Sequence, residues 1–200
     1  GKIGCLSFNG NKIMTTGGGG MILTDNKQIA KRAKYLTTQA KDDPVYSIHN
    51  EIGYNFRLTN VQAAMGLAQL ESLSDYIKKK KIIHERYKNK INKIEGLAIS
   101  NAPYFASCNY WLNILEIRKY LSKEKLSKII KYLSKNGIET RPIWYPNHLQ
   151  KKYKNYQNYK LKNVNKIYQN RLCLPSSMQL TKKQQDFVCS KLKNIYFLSQ

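Results

Sequence analysis

Residues 7–20 read Ser7-Phe8-Asn9-Gly10-Asn11-Lys12-Ile13-Met14-Thr15-Thr16-Gly17-Gly18-Gly19-Gly20. A single lysine stands between the apolar segment Ile3–Phe8 and four consecutive glycines, with hydroxyl side chains on both sides. Glycine reaches backbone conformations closed to other residues, so the stretch reads as a loop. Its flanks, Ile3–Phe8 and Met21–Thr24, are apolar, partly β-branched and bounded by Gly and Asn, which predicts two short strands. A lysine in such a cradle is a candidate for covalent chemistry. On these residues alone, a solvated lysine in a surface turn is the alternative.

Further along, Asp25 or Asn26 can cap a helix running to about Gln39. Residues 40–57 lack periodicity and contain Asp42-Asp43-Pro44, which predicts a long loop of the kind that is usually functional. Thr59-x-x-Gln62 is a capping box. The apolar spacing after it predicts one long helix to about Lys93, stopped by Gly96. Tyr110–Ile117 reads as a strand. Ser122 caps a helix through Lys135, closed by Asn136-Gly137. Ile138–Arg141 reads as a short strand halted by Pro142, residues 150–171 as weakly helical, and Leu172–Leu174 as a strand. Thr181-x-x-Gln184 opens a final helix over 182–197. Alternation of strands and helices after the long helix indicates an α+β lobe.

The chain has 200 residues, enough for one or two domains. It contains no apolar run of about 18 residues that would cross a membrane, and no basic segment leading into an apolar one at its start. It begins at Gly1 and enters the apolar Ile3–Phe8 directly, which reads as the middle of a protein. Cys5, Cys108, Cys173 and Cys189 are scattered, without metal-ligand spacing, and fit isolated buried thiols in a reducing cytoplasm. The formal net charge of +23 raises a nucleic-acid-binding reading. Most of the excess is lysine, accompanied by many Asn, Ile and Tyr, as an AT-rich genome would produce. Runs such as Lys78–Lys81 read as solvated helix faces. The field would also favour an anionic substrate.

The lysine stretch resembles the cofactor-lysine segment of the DegT/DnrJ/StrS family of pyridoxal-phosphate-dependent sugar aminotransferases, S-F-x-x-x-K-x-x-T-x-G-E-G-G. Gly18 replaces the glutamate of that pattern. The four-glycine form looks most like the legionaminic-acid branch, which aminates a nucleotide-linked 4-keto-6-deoxy sugar. The resemblance continues through Gly53-Tyr54-Asn55-Phe56-Arg57-Leu58-Thr59-Asn60-Val61-Gln62-Ala63-Ala64, through Gly137–Pro142 and through Leu172–Ser177. It implies an α/β fold, the C-terminal portion of a fold type I aminotransferase. Residues 1–58 would end the large cofactor domain, 59–94 would form a linking helix, and 95–200 a small domain.

Transamination needs an electron sink that no side chain supplies and pyridoxal phosphate does. Lys12 matches the lysine that holds the cofactor and moves the proton. Ser7 matches a phosphate-contacting serine; a strand-end hydroxyl bonded to its own backbone is the alternative. Asn55 matches an asparagine that reaches the phosphate of the neighbouring subunit, which implies a homodimer with shared sites; a turn residue is the alternative. Arg57 and Arg141 can each fork onto a diphosphate, and Arg141 could equally be an ion pair within the small lobe. Trp144, Tyr145 and His148 form an aromatic cluster that could stack on a base or line the sugar pocket; His148 could instead be structural. Thr15 and Thr16 could hydrogen-bond near Lys12. Glutamate is the expected donor. The carboxylate for the cofactor's ring nitrogen and the ring-stacking side chain have no counterpart before Lys12, so the expectation is a catalytically poor half-enzyme.

Overall fold

The computed structural model describes residues 1–119 and 121–195. It divides into two compact units, Gly1–Tyr76 and Ile77–Gln200.

In the first unit, β1 (Gly4–Ser7) and β2 (Gly20–Leu23) pair antiparallel, with Ser7 opposite Gly20. Helix α1 (Lys27–Thr37) is capped by Asn26, whose side chain accepts from the Gln28 and Ile29 amides. The segment after it is ordered by its own polar groups. Asp43 accepts from the Val45 and Tyr46 amides, and Asp42 from the Asn50 amide. Arg32 forks onto Glu51, reaching one carboxylate oxygen at 2.6 Å. Residues 54–56 run back along the end of α1: Tyr54 N–H donates to Leu36 O and Phe56 N–H to Thr37 O. A side chain at Gly53 would strike the backbone of Gln39 and Ala40, so this return requires glycine.

The stretch expected to be one helix is two. Helix α2 (Asn60–Glu71) starts at the expected capping box, made by Thr59 and Gln62. It ends at Ser72, which leaves helical geometry at φ −96° and ψ 0°. Helix α3 (Leu73–Ile91) follows immediately. Apolar spacing carries across a one-residue break, so periodicity could not show it.

In the second unit, β3 (Leu97–Ile99), β4 (Asn113–Ile117), β5 (Arg141–Pro142) and β6 (Arg171–Leu174) form an antiparallel sheet in the order β3-β4-β6-β5. Ile99, Leu115 and Leu172 lie across from one another on the buried face. Helices α3, α4 (Lys123–Lys135) and α6 (Lys182–Leu192) close the core with Ile83, Tyr87, Ile129, Leu133, Val188 and Leu192. A short helix, α5 (Lys162–Ile167), precedes β6.

Strand β3 escaped the sequence reading, which let Gly96 end a helix and made nothing of the three apolar residues after it. Strand β5 lies later than expected and includes Pro142, where the sheet edge tolerates a residue without N–H. Gly137, at φ +73°, passes the chain out of α4 as expected of a C-terminal glycine. The expected final helix stops at Leu192, with Lys193 as its C-cap, and its last expected residues, 196 and 197, lie outside the described residues. Among the described residues no helix is long and apolar enough to cross a membrane.

Candidate active site

The loop carrying Lys12 is closed at its neck. Phe8 is buried, its N–H donates to Gly19 O, and its carbonyl accepts from both the Thr16 N–H and the Thr15 hydroxyl. Inside the neck the chain turns, with Lys12 N–H donating to Asn9 O at 3.0 Å. The returning limb is held from α2, where Gln69 Oε1 accepts from Thr15 N–H at 2.8 Å. Thr16 is buried against Gly66, whose missing Cβ would lie 3.0 Å from the Thr16 methyl. The two threonines therefore build the loop. Gln69 and Gly66 went unnoticed in the sequence because nothing local marks them.

Two of the four glycines are conformationally required. Gly17 and Gly19 have φ of +77° and +89°, and a Cβ at Gly19 would also meet Leu58 at 2.7 Å. Lys12 is thus held half-buried at the tip of a closed, glycine-walled loop.

Ser7 sits exposed at the end of β1, and Asn55 sits exposed on the return strand after Gly53. Arg57 follows it. Among the described residues the Ser7 hydroxyl, the Asn55 amide and the Arg57 guanidinium make no side-chain hydrogen bond or ion pair. These are ordered donors free for an anion. A hollow of about 930 Å³ in the same unit is lined by Arg57, Gly19, Gly20 and Gln62, and not by Lys12, Ser7 or Asn55.

The remaining expected residues lie in the second unit. Arg141 is exposed and pairs with Glu139 at 2.7 Å, the ion-pair alternative for this side chain. Trp144 and Tyr145 share a cleft with Tyr168, whereas His148 lines a different hollow with Tyr153 and Tyr156. The structure therefore splits the expected aromatic cluster into two.

A buried polar group in this unit was missed. Lys80, read as part of a solvated run, is 6% exposed and donates to the carbonyls of Trp111 and Ser176. Burial pushes its pKa down. One turn on, buried His84 faces the side-chain oxygens of Asn113 and Asn101, each at 3.0 Å. Asn113 in turn donates to Ser176 Oγ. A lysine run carries no sign of which member turns inward; helical phase with Ile83 and Tyr87 was the available hint.

The chain is a member of the DegT/DnrJ/EryC1/StrS aminotransferase family, whose model matches residues 1–193. It is 34% identical over 200 residues to EpsN of Bacillus subtilis (strain 168), covering 98% of this chain and 51% of that protein. It is 34% identical over 197 residues to GDP-perosamine synthase of Escherichia coli O157:H7, covering 98% and 52%. The fold matches aminotransferase TlmJ from Streptoalloteichus hindustanus with a TM-score of 0.84 at 22% identity, over 98% of this chain and 52% of that one. It also matches the PLP form of Spr1654 from Streptococcus pneumoniae with a TM-score of 0.84 at 20% identity, over 100% and 53%. The chain spans about half the length of the curated relatives it matches.

Proposed function

We propose that this chain is the lysine-bearing part of a pyridoxal-phosphate-dependent aminotransferase that aminates a nucleotide-linked 4-keto-6-deoxy sugar for surface polysaccharide or nonulosonic acid synthesis, with glutamate as donor. The carrying observation is Lys12 at the tip of a loop locked by Phe8, Thr16 and Gln69. The residues present fit the cofactor. A half-buried amine stands in a glycine-walled loop, and Ser7 and Asn55 offer donors without protein partners to a phosphate.

When bound, the cofactor supplies the electron sink for breaking the donor's Cα–H bond. Lys12 would hold the cofactor and, with its amine free, would move the proton between the donor's Cα and the cofactor's C4′. Ser7 and Asn55 fix the phosphate. Arg57 in the first unit and Arg141 in the second are each proposed to take an anionic group of the substrate, and Trp144 a flat part of it; His148, which lines a separate hollow, is proposed to meet substrate there. The Arg141–Glu139 pair, exposed at 79% and 77%, opens at little cost. The division of the chain into 1–58 in a large domain, 59–94 as a link and 95–200 as a small domain belongs to this reading, as does a soluble cytoplasmic enzyme. Slow turnover of the 200-residue chain alone belongs to it too, because no carboxylate for the ring nitrogen is assigned.

Borohydride reduction of the complete, cofactor-loaded protein tests the reading. The label should sit on the peptide containing Lys12; label on another lysine overturns it. Asn55 is proposed to serve the partner subunit's site in a homodimer. Mixing Lys12→Ala with Asn55→Ala subunits should then restore part of the activity, and proven heterodimers without recovery would place each site within one chain.

A further inference from the structure

The sequence holds two Asn-Gly pairs, Asn9-Gly10 and Asn136-Gly137, and they stand in opposite surroundings. Asparagine followed by glycine is the pair most prone to lose its side-chain amide. Glycine leaves its own backbone nitrogen open to approach the asparagine side-chain carbon, where a Cβ would obstruct it. In a folded chain the reaction depends on whether that nitrogen and that amide are free to meet.

Asn136-Gly137 is locked. Asn136 ends α4, and its Nδ2 donates to Tyr132 O at 2.9 Å. The Gly137 N–H donates to Ser134 O at 2.9 Å. Both reacting groups are engaged, and two hydrogen bonds must open before they can meet.

Asn9-Gly10 is open. Both residues are exposed, in the loop that carries Lys12. The Gly10 N–H makes no hydrogen bond among the described residues. The Asn9 amide reaches Asn11 Oδ1 at 3.5 Å, too long to hold it firmly. Gly10 is required neither for a left-handed backbone nor for space: its φ is not positive, and a Cβ there would meet nothing within 4 Å. What Asn9 does hold is Lys12, whose N–H donates to Asn9 O at 3.0 Å and closes the turn.

We propose that Asn9 is a site of spontaneous deamidation, through a cyclic imide formed with Gly10, and that the product loosens the turn at Lys12. The Gly10 nitrogen gives its proton to solvent base and attacks Asn9 Cγ. The N–Cγ bond forms, the Cγ–Nδ2 bond breaks, and Nδ2 leaves as ammonia. Water then opens the imide, and the Gly10 nitrogen regains a proton. Opening at Cγ gives aspartate. Opening at the main-chain carbonyl gives isoaspartate, in which the chain runs through Cγ and the former main-chain carbonyl becomes a free carboxylate. Isoaspartate adds one methylene to the main chain, so the carbonyl after it is displaced from the Lys12 N–H. The modification stands apart from the proposed function; its effect on the cofactor rests on that reading of Lys12.

Ageing of the full 200-residue chain in neutral buffer, followed by peptide mass spectrometry with isoaspartate detection, tests the modification. Asn9 should convert about ten-fold or more faster than Asn136 while the chain is folded. Urea should bring the two rates together. Gly10→Ala should suppress conversion at Asn9 and leave Asn136 and the unfolding midpoint unchanged. The inference fails if Asn9 converts no faster than Asn136, or if Gly10→Ala converts as fast as the parent. The isoaspartate form of the complete protein, separated by chromatography, should bind pyridoxal phosphate about five-fold more weakly in an absorbance titration. Equal binding would overturn the effect on the Lys12 turn. Asn9→Asp, which adds the charge without the methylene, should lie between the two. An unconverted Asn9 leaves the Lys12 labelling standing, and a failure of that labelling leaves the peptide map standing.

Discussion

The two units are held together by different forces. In the second, every position of β3 is buried, β4 and β6 alternate, and three helices close over their inner face. In the first, Phe8 and Ala40 are the buried apolar side chains among the described residues. Strands β1 and β2 are exposed along their whole length, and α1 buries nothing. Its order comes instead from polar contacts such as Thr15 to Gln69, the Asp43 turn and the Arg32–Glu51 fork. Hydrogen bonds of this kind specify a shape, but each contributes only about 1 kcal/mol net. Burying one large apolar side chain contributes roughly 2 kcal/mol. The first unit thus has a specified shape without a core to stabilise it. Leu6, Met21 and Leu23 lie on one side of the β1–β2 pair, each 45–48% exposed.

The sharpest way to break this comparison is a matched pair of truncations. Leu115→Ala, at a fully buried position in β4, should cost about 3 kcal/mol. Leu6→Ala, at 46% exposure, should cost under about 0.5 kcal/mol in the same chain. Urea unfolding followed by far-UV circular dichroism measures both. Equal costs would mean that the first unit has a core of its own.

A smaller effect separates core from polar order inside the second unit. Lys80 spans the carbonyls of Trp111 and Ser176 from within α3. Lys80→Met relieves the cost of burying a charge but strands two carbonyls, and the second outweighs the first because both are part-buried. The expected loss is about 1–3 kcal/mol. Thermal unfolding decides it, and a variant as stable as the parent would show that the buried ammonium contributes nothing. Neighbouring Lys79→Met, on the exposed side, should be close to neutral.

What could be read in the sequence follows the same division. The capping boxes at Thr59 and Thr181, the Asn136-Gly137 stop and the strand pair around the glycine run are local signals, and each folds as the residues indicate. The features that escaped depend on partners far along the chain. Gln69 meets Thr15 across 54 positions, and Lys80 meets Ser176 across 96. Strand β3 has three residues and gains its identity only by pairing with β4. The candidate site divides likewise: the Lys12 loop was legible from its own glycines, whereas the separation of His148 from Trp144 arises from the path of residues 146–168 around two different hollows.

The smallest effect concerns a surface contact within the well-packed unit. Asp186 on α6 accepts from Lys90 and from Arg86 on α3, the latter at 2.7 and 2.8 Å. The hydrogen bond from Lys90, and then those from Arg86, hold its carboxyl below the usual carboxylate range. The unfolded chain therefore takes up this proton at higher pH than the folded one does. The contribution is complete above the ordinary carboxylate value of about 4 and is lost as pH falls through the lower folded value. Asp186→Asn should accordingly lower the urea midpoint at neutral pH, and the gap from the parent should close as the solution is acidified. Because the carboxylate is 44% exposed, high salt should shrink the same gap. Glu51, lowered by its Arg32 partner in the first unit, obeys the same sign. Its variant Glu51→Gln should register in amide exchange of residues 42–52 while leaving the midpoint of the second unit in place. A gap at Asp186 that is the same at neutral and acid pH would mean that its two cations hold it no more firmly than solvent does.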